Sequence, residues 1–553
     1  MDLLSVQALL QQGMFKIPSY QRGYSWTSKE VGEFIDDLCE AKELKEHYTG
    51  TVTVVEKGEQ DIFPKKFKKY DVVDGQQRLT SFTIFIYCIH NRLKKLGIDE
   101  DSLNDILKSI IYRQNTILQL HDEVHDFYAD YIISKPIIEL PKKYKNKSEQ
   151  NLANAKIQIS KFLDTCKTKS EVEEFYLTLV NKFKINFYIL SKESDVGVVF
   201  ETMNNRGLPL TQMDMVKNYL VYLASRLNDE NLAEEINENF GVIYTQLMEI
   251  AATPTQEDDV LRFAYIIYKG LSGDDIYKDI KVFLKKDASS EDILEYVIFL
   301  KETSKIYAQI YTQKFKNNDV KILIDKILWL GTLSNFFPLL IILFKNYKEN
   351  ELILVLRLIE IYSYRVYKVA NKQNRAGRND LHRAAHDIYI QRYNLDELIS
   401  NLEHSIKQYS ENQDFKSSLQ AKNFYTSHES NEIIYFFYEY ECYLHERDMS
   451  AFELLSFKDF KQDVKDKKIS VEHISPQSNN STVLSEIHKL GNLTITYDNS
   501  LLSDKSFTDK KNHYRKSKLL VENDIFLSKK WDKDEINIRT KILIEFAERR
   551  WRI

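Results

Sequence analysis

A chain of 553 residues is too long for one ordinary core, so two or three domains are expected. Its 43% hydrophobic and 29% charged residues suit a soluble globular protein, and no apolar run approaches the length of a membrane span. The formal net charge of −5 argues against indiscriminate coating of DNA, although local patches decide binding more than totals do. Only 8 prolines and 15 glycines point to a mainly helical protein, and most of the 34 tyrosines and 30 phenylalanines must serve as core. Cysteines 39, 88, 166 and 442 are spaced for neither a disulfide framework nor a zinc cluster, which fits reduced thiols in a cytoplasmic protein.

In chain order, MDLLSVQALLQQG has no basic region ahead of its apolar part and predicts a first helix over 1–13, not a signal peptide. FKIPSYQRGYSW reads as an extended segment before a helix at about 28–46. TGTVTVVE (49–56) and KKYDVVD (68–74) are the clearest strand signals. Between them, EKGEQDIFPKKFKK predicts a hairpin loop with a basic side. Leu79 to Leu96 turns helical, 101–136 continues as amphipathic helices, and PKKYKNKSEQ (141–150) reads as a polar linker.

A strand at 185–190 is expected to lead to a helix at 194–204, a turn at Asn205-Arg206-Gly207 and another helix from Thr211. Asp214, three residues later, makes Thr211 close to a capping-box pattern. From about 225 to 465 nearly everything carries a 3.6-residue apolar period, with a loop, ANKQNRAGRND, at 370–380. His382 and His386 lie four apart on one predicted helix with no third ligand at useful spacing, so they predict a polar helix face and not a zinc pair. The last 90 residues change character: KKISVEHISPQS as a short strand into a loop, a helix at about 482–488, LGNLTITYDNS as strand and turn, a basic helical stretch, and a final helix, DKDEINIRTKILIEFAERRW.

That final strand–loop–strand–helix order can grip one divalent cation between helix and first strand. Phosphodiester hydrolysis needs a base for water, a cation on the phosphate and a basic surface for the backbone. His473 can be the base; Glu472 and Asn499 offer oxygens to a hard ion such as Mg²⁺ or Mn²⁺; Asn492 would orient His473 or hold the loop; DKSFTDKKNHYRKSK (504–518) would line duplex DNA. On composition alone, His473 could equally be a structural histidine.

At the other end, YDVVDGQQRLTSF places Asp74, Gly75, Gln76, Gln77 and Arg78 where a strand becomes a helix. Gly75 permits a tight turn, the first helical amides can bind an anion, and Arg78 is a forked phosphate donor. Asp74 would hold a cation, position water or fix Arg78. A capped helix start with a structural ion pair is the competing reading. The chain has no GxxxxGK[ST] motif, so it has no ordinary P-loop.

EHISPQ…HKLGNLTIT, with the basic stretch and tail that follow it, resembles the domain of unknown function numbered 1524, a His-Me finger (HNH-like) nuclease module. The resemblance implies a general base at His473, the Gly-Asn-Leu asparagine at Asn492 and metal ligands at Asn499 and, more softly, Glu472, with a softer role for Lys511. IPSYQRGYSW, DVVDGQQRLTSF and VFETMNNRGLPLTQMDMVKNYL together resemble the domain of unknown function numbered 262, whose fold is related to the ParB/sulfiredoxin group. That match implies a polar nucleotide-binding site of Arg22, Asp74, Gly75, Gln76, Gln77 and Arg78, joined by Asn205, Arg206, Asp214 and Lys217.

Both in one chain resemble the GmrSD-type (type IV) modification-dependent restriction endonucleases. The implied protein is α+β and mainly helical. Its expected parts are a ParB-like sensor domain (1–225), a helical connecting region (226–410) and a ββα-metal nuclease domain (411–553). It would cut double-stranded phage DNA carrying hydroxymethylated or glucosylated cytosine, using Mg²⁺ or Mn²⁺ at the nuclease site and a nucleoside triphosphate (NTP) at the amino-terminal domain. A phosphorothioate-sensing nickase, a non-cleaving DNA sensor and an RNA-cutting toxin are the alternatives. No membrane partner is expected, and a homodimer would suit double-strand cutting.

Overall fold

The computed structural model describes residues 2–190, 211–227, 229–270, 275–285, 288–373, 375–448, 454–477 and 484–553. The chain forms two units, Met1–Tyr265 with Ser272–Thr312 and Ile266–Leu271 with Gln313–Ile553, so the helical run 226–410 is shared between them. The helix expected at 194–204 and the turn at 205–207 lie outside the described residues. No helix among the described residues is long and apolar enough to cross a membrane, and all four cysteines are free thiols.

The first unit is built on one mixed sheet. Its strands are β1 (Asp2–Ser5), β2 (Met14–Lys16), β3 (His47–Ile62), β4 (Lys65–Asp74), β5 (Leu118–Gln119) and β6 (Phe183–Leu190), in the order β1-β6-β3-β4-β2-β5. The β3–β6, β4–β2 and β2–β5 pairs are parallel; β1–β6 and β3–β4 are antiparallel. The β-branched runs decide the middle of the sheet: Val52, Val54, Val55, Val72 and Val73 are all buried.

Three sequence expectations change here. The stretch EKGEQDIFPKKFKK is not a loop: β3 and β4 run through it as far as the Ile62–Lys65 pair, because backbone pairing continues where side chains face water. Residues 1–13 split, with Asp2–Ser5 pairing along β6 and only Val6–Leu10 helical, capped by Ser5 Oγ. The stretch 101–136 also breaks: the helices Glu100–Lys108 and Asp122–Phe127 flank a two-residue hairpin and β5. Arg113 at φ 56 turns the chain there, a backbone state that apolar periodicity does not report.

Helix α1 (Ser28–Glu40) starts at a Thr27/Glu30 capping box. Helix α2 (Gln76–Lys95) is buried on every side from Leu79 to Ile89 and is the central helix of this unit. Helix α3 (Lys147–Thr165) begins inside the expected linker, capped by Asn146, and packs on α2. Helices α4 (Gln212–Arg226), α5 (Glu230–Glu249) and α6 (Pro254–Lys269) follow.

In the second unit the carboxy-terminal elements close on a helical core. Helix α7 (Ser430–Asp448) precedes the hairpin β7 (Ser470–His473) and β8 (Leu493–Thr496), then helices α8 (Phe507–Lys516) and α9 (Lys533–Arg550). The end of α9 is fixed by buried charge. Arg550 Nε donates to Glu439 Oε2 (2.7 Å) and its NH1 to Glu360 Oε2 (3.1 Å); Trp551 Nε1 donates to Glu360 Oε1 (2.9 Å), and Lys326 reaches Glu439 at 2.6 Å. Buried charges persist only when paired and hydrogen-bonded in this way. His386 Nδ1 meets Ile267 O at 2.9 Å and the His382 Nε2 atom is buried, so this pair faces protein and not water as expected.

At its start, α9 lies directly on the 490–493 turn. Arg539 NH1 donates to Gly491 O (2.9 Å) and Leu493 O (2.5 Å). A Cβ on Gly491 would lie 2.2 Å from Ile536 O, a backbone atom that cannot step aside. Gly491→Ala is therefore expected to destabilise this unit by about 3 kcal/mol. Calorimetry should show one transition lowered by roughly 2–4 °C per kcal/mol; an unchanged scan would mean that α9 is not seated on this turn.

Candidate functional site

In the first unit the extended segment after β2 is laid across the start of α2 by side chains of α2 itself. Gln77 Oε1 accepts from Ser25 N (2.9 Å), Gln77 Nε2 donates to Gly23 O (3.2 Å), and Tyr24 OH meets Ser81 Oγ at 2.9 Å. Gln21 Nε2 donates to Val73 O (3.0 Å). Gly75 has φ 89 and sits so close to β3 that a Cβ would lie 2.7 Å from Val52 Cγ2. No side chain caps α2, which leaves its first-turn amides facing this segment. Arg78 donates from NH1 to Thr51 O (2.7 Å), and its guanidinium lies against Gly50, where a Cβ would come within 2.9 Å of Cζ.

Charges from four distant stretches meet here. Burial pushes the Asp74 carboxyl up, opposed by Arg78 and then Arg22. Arg22 Nε lies 3.8 Å from Asp214 Oδ2, and Tyr244 OH donates to Asp214 Oδ1 at 2.6 Å. Thr211 caps α4 as expected, accepting from Asp214 N (3.1 Å), but the Asp214 carboxylate serves Tyr244 and Arg22 instead of completing a capping box. Lys217 is buried, with Nζ donating to Tyr20 O (2.8 Å) and lying over the Tyr20 ring, so it holds the YQR segment. Arg22, Asp74, Gly75, Gln76, Gln77, Arg78, Asp214 and Lys217 are thus gathered around this segment. Gln77 and Lys217 are spent on holding it. Asn205 and Arg206 lie outside the described residues.

Sequence reading missed Glu257 on α6. Burial pushes its carboxyl up to about 8, with Asp214 adding repulsion and Arg22 opposing. A lone acid in a long helical run carries no signal of this.

In the second unit, His473 ends β7 opposite Leu493. Its ring packs edge-on against Tyr425 (4.4 Å) and His488 (5.6 Å), and Gln477 Nε2 lies 3.2 Å from its Nδ1. Burial lowers its pKa to about 4, with His488 and Lys510 acting in the same direction, so the ring is neutral at physiological pH. Asn492 is fully buried and uses its whole carboxamide: Oδ1 accepts from Ser475 N (2.9 Å) and Trp531 Nε1 (3.0 Å), while Nδ2 donates to Ser475 O (3.1 Å) and Ile487 O (2.9 Å). Of the two roles expected for Asn492, its contacts are those of the loop holder.

Asn499, the first residue of a short helical turn, anchors Nδ2 on Ser470 Oγ (2.8 Å) and Val471 O (3.0 Å). Glu472 is buried and already paired: Lys510 Nζ, itself fully buried, lies 2.5 Å from Glu472 Oε1 and donates to His473 O (2.8 Å). Strand alternation puts Ser470 and Glu472 on one face and His473 on the other. Lys511 donates to Ser528 O (2.7 Å), which ties it to the fold. Lys505, Arg515, Lys516 and Lys518 are the exposed basic side chains of the expected DNA-lining stretch. Among the described residues, no group of three or more His, Cys, Asp or Glu side chains forms a metal cluster.

Comparison with known families agrees with both ends of the chain. The GmrSD restriction endonuclease N-terminal domain matches residues 6–221, and the GmrSD restriction endonucleases C-terminal domain matches residues 409–546. The chain belongs to the GmrSD restriction endonuclease family. It is accordingly a nuclease of the restriction class, with DNA as the substrate that the family implies. No match was found among curated proteins.

Two predictions follow from these contacts. Lys510→Met should leave Glu472 buried without a counter-charge and cost about 3–5 kcal/mol. Adding Glu472→Leu should return most of that loss in urea unfolding; a single variant as stable as the parent would show that the pair does not hold the hairpin. For Glu257, the folded state binds one more proton than the unfolded state between pH 4.5 and about 8, so its contribution to stability falls as pH rises through that window. Glu257→Gln should match the parent below pH 4 and exceed it in melting temperature at pH 8. An equal gap at both pH values would mean that Glu257 does not titrate in this way.

Proposed function

We propose that this restriction endonuclease is a type IV-like, metal-dependent enzyme that cuts modified phage DNA, with an amino-terminal domain that binds or hydrolyses a nucleoside triphosphate. The observation that carries the nuclease assignment is His473: a neutral imidazole at the end of a strand whose following loop is clamped by Asn492. A neutral ring can accept a proton from water as that water attacks phosphorus and a P–O ester bond breaks. Gln477, Tyr425 and His488 fix the direction of the ring. Lys505, Arg515, Lys516 and Lys518 give phosphate contacts along the duplex.

The donor set fits a hard divalent cation in kind. Asn499 has its amide nitrogen tied to β7, which leaves Oδ1 free to ligate, and Glu472 adds a carboxylate on the same side of the strand as Ser470. Mg²⁺ or Mn²⁺ bound there would supply positive charge for the phosphate. Lys510 meanwhile balances Glu472, so the carboxylate has a counter-charge before any ion arrives. In the first unit, the uncapped amides of α2 together with Arg22 and the free guanidinium nitrogens of Arg78 suit the phosphates of an NTP, and Asp74 suits its accompanying cation.

The test is cleavage of matched unmodified, glucosyl-hydroxymethylcytosine and phosphorothioate DNAs, with Mg²⁺ or Mn²⁺ or with chelator, and with and without each NTP. Preferential, metal-dependent loss of the glucosylated DNA is expected. His473→Ala should lower the rate by roughly 10²–10⁴-fold while DNA affinity stays within a few-fold. Cleavage retained by His473→Ala would remove His473 as the base; binding without cutting under every condition would make the protein a sensor.

A further inference from the structure

Beside the α2 segment, but on its other side, the first unit contains a cavity of about 140 Å³. Gly23, Tyr24, Ser148, Met248, Ala252 and Glu257 are among its lining residues. Two features show that it is built rather than left over. Gly23 keeps it open, since a Cβ there would lie 2.8 Å from Ser148 Oγ and 3.2 Å from Met248 Sδ. Two polar atoms on its wall, Ser148 Oγ and Glu257 Oε2, are buried without a hydrogen-bond partner, and Glu257 is only 9% exposed. Buried polar atoms of this kind cost free energy unless something completes them.

We propose that this cavity binds a pyrimidine ring, whose paired donor and acceptor edge is read by the carboxyl group of Glu257. The volume is that of one six-membered ring, comparable to the roughly 150 Å³ cavities that take up benzene, and too small for a purine. Tyr24, Met248 and Ala252 offer apolar faces to the ring, and Ser148 offers a hydroxyl. A protonated carboxyl carries one donor and one acceptor side by side, which matches N3 with the 4-amino group of cytosine or N3–H with the 4-oxo group of uracil. Glu257 is held in that protonated form by burial and by Asp214, against Arg22. The charged and titratable groups around it are Arg22 on the extended segment, Lys147 on α3, Asp214 on α4, Tyr244 on α5 and Asp258 on α6. The ring can come from a free nucleotide or from a base extruded from DNA. This assignment needs no phosphate at α2.

Calorimetric titration of the full-length protein with nucleosides, which lack phosphate, tests it independently of NTP binding. Cytidine and uridine should bind, and 3-methyluridine, whose edge is blocked, should bind at least about tenfold more weakly. Cytidine affinity should fall about tenfold between pH 7 and pH 9 as Glu257 ionises, and Glu257→Gln, which keeps a donor and an acceptor but cannot ionise, should remove that fall. Ala252→Phe, which fills the cavity, should abolish binding. A duplex with one cytosine opposite an abasic site gives the source: competition with cytidine that Glu257→Leu abolishes identifies an extruded base, and no competition identifies a free nucleotide. Equal binding of uridine and 3-methyluridine, or no nucleoside binding at all, would overturn the proposal and leave the cavity to ordered water.

Discussion

The hairpin that carries His473 depends on one buried carboxamide. Asn492 has two acceptor and two donor capacities, and all four are used, on Ser475, Ile487 and Trp531. A two-stranded hairpin of four-residue strands is not stable by itself, and the pairing of β7 with β8 supplies only a short ladder. By joining the loop after β7 to the turn before β8, and both to the Trp531 indole, Asn492 makes one rigid piece from segments that a mobile loop would separate. An aspartate there would lose the two donated bonds, and a hydrophobic residue would orphan the Ser475 amide and carbonyl. The position and direction of His473 follow from this clamp, as does the seat of α9 against Gly491.

Both units solve a common problem, which is to hold charged side chains in protein without letting them neutralise the site. In the carboxy-terminal unit, Lys510 lies between strand and helix with Glu472 and the His473 carbonyl as partners. In the amino-terminal unit, Arg22, Asp74, Arg78, Asp214 and Glu257 share one buried region. There the neighbouring carboxyls raise one another, and Glu257 stays protonated because Asp214 already carries the charge that Arg22 balances. Such separation of protonation states among near neighbours is what ligand recognition and proton transfer both need.

Much of this was legible in order along the chain. The β-branched runs at Val52–Val55 and Val72–Val73 gave the centre of the sheet, Gly75 gave the sharp entry to α2, and EHISPQ with LGNLTIT gave the hairpin. Local signals failed where backbone pairing or burial made the decision. Polar side chains in EKGEQDIFPKKFKK resemble a loop, yet the two strands pair through them, because a ladder needs only backbone groups. The apolar stretch near 111–119 resembles more helix, but Arg113 turns the chain and Leu118–Gln119 adds an edge to the sheet.

By itself the sequence determined which residue types stand in each motif and the order in which strand, turn and helix follow one another, since these depend on near neighbours. Only the tertiary structure decided what each polar group is free to do. Gln77 and Lys217 looked like ligand residues and are occupied with the segment that carries Arg22; Glu472 looked like an open oxygen donor and is paired with Lys510; Glu257 carried no signal and is the most strongly perturbed carboxyl of its unit. The physical reason is that hydrogen-bond satisfaction and desolvation are set by partners 40 to 200 residues away, as with Tyr20 and Lys217 or Glu472 and Lys510 (sequence separations of 197 and 38). No pattern of adjacent residues encodes those distances.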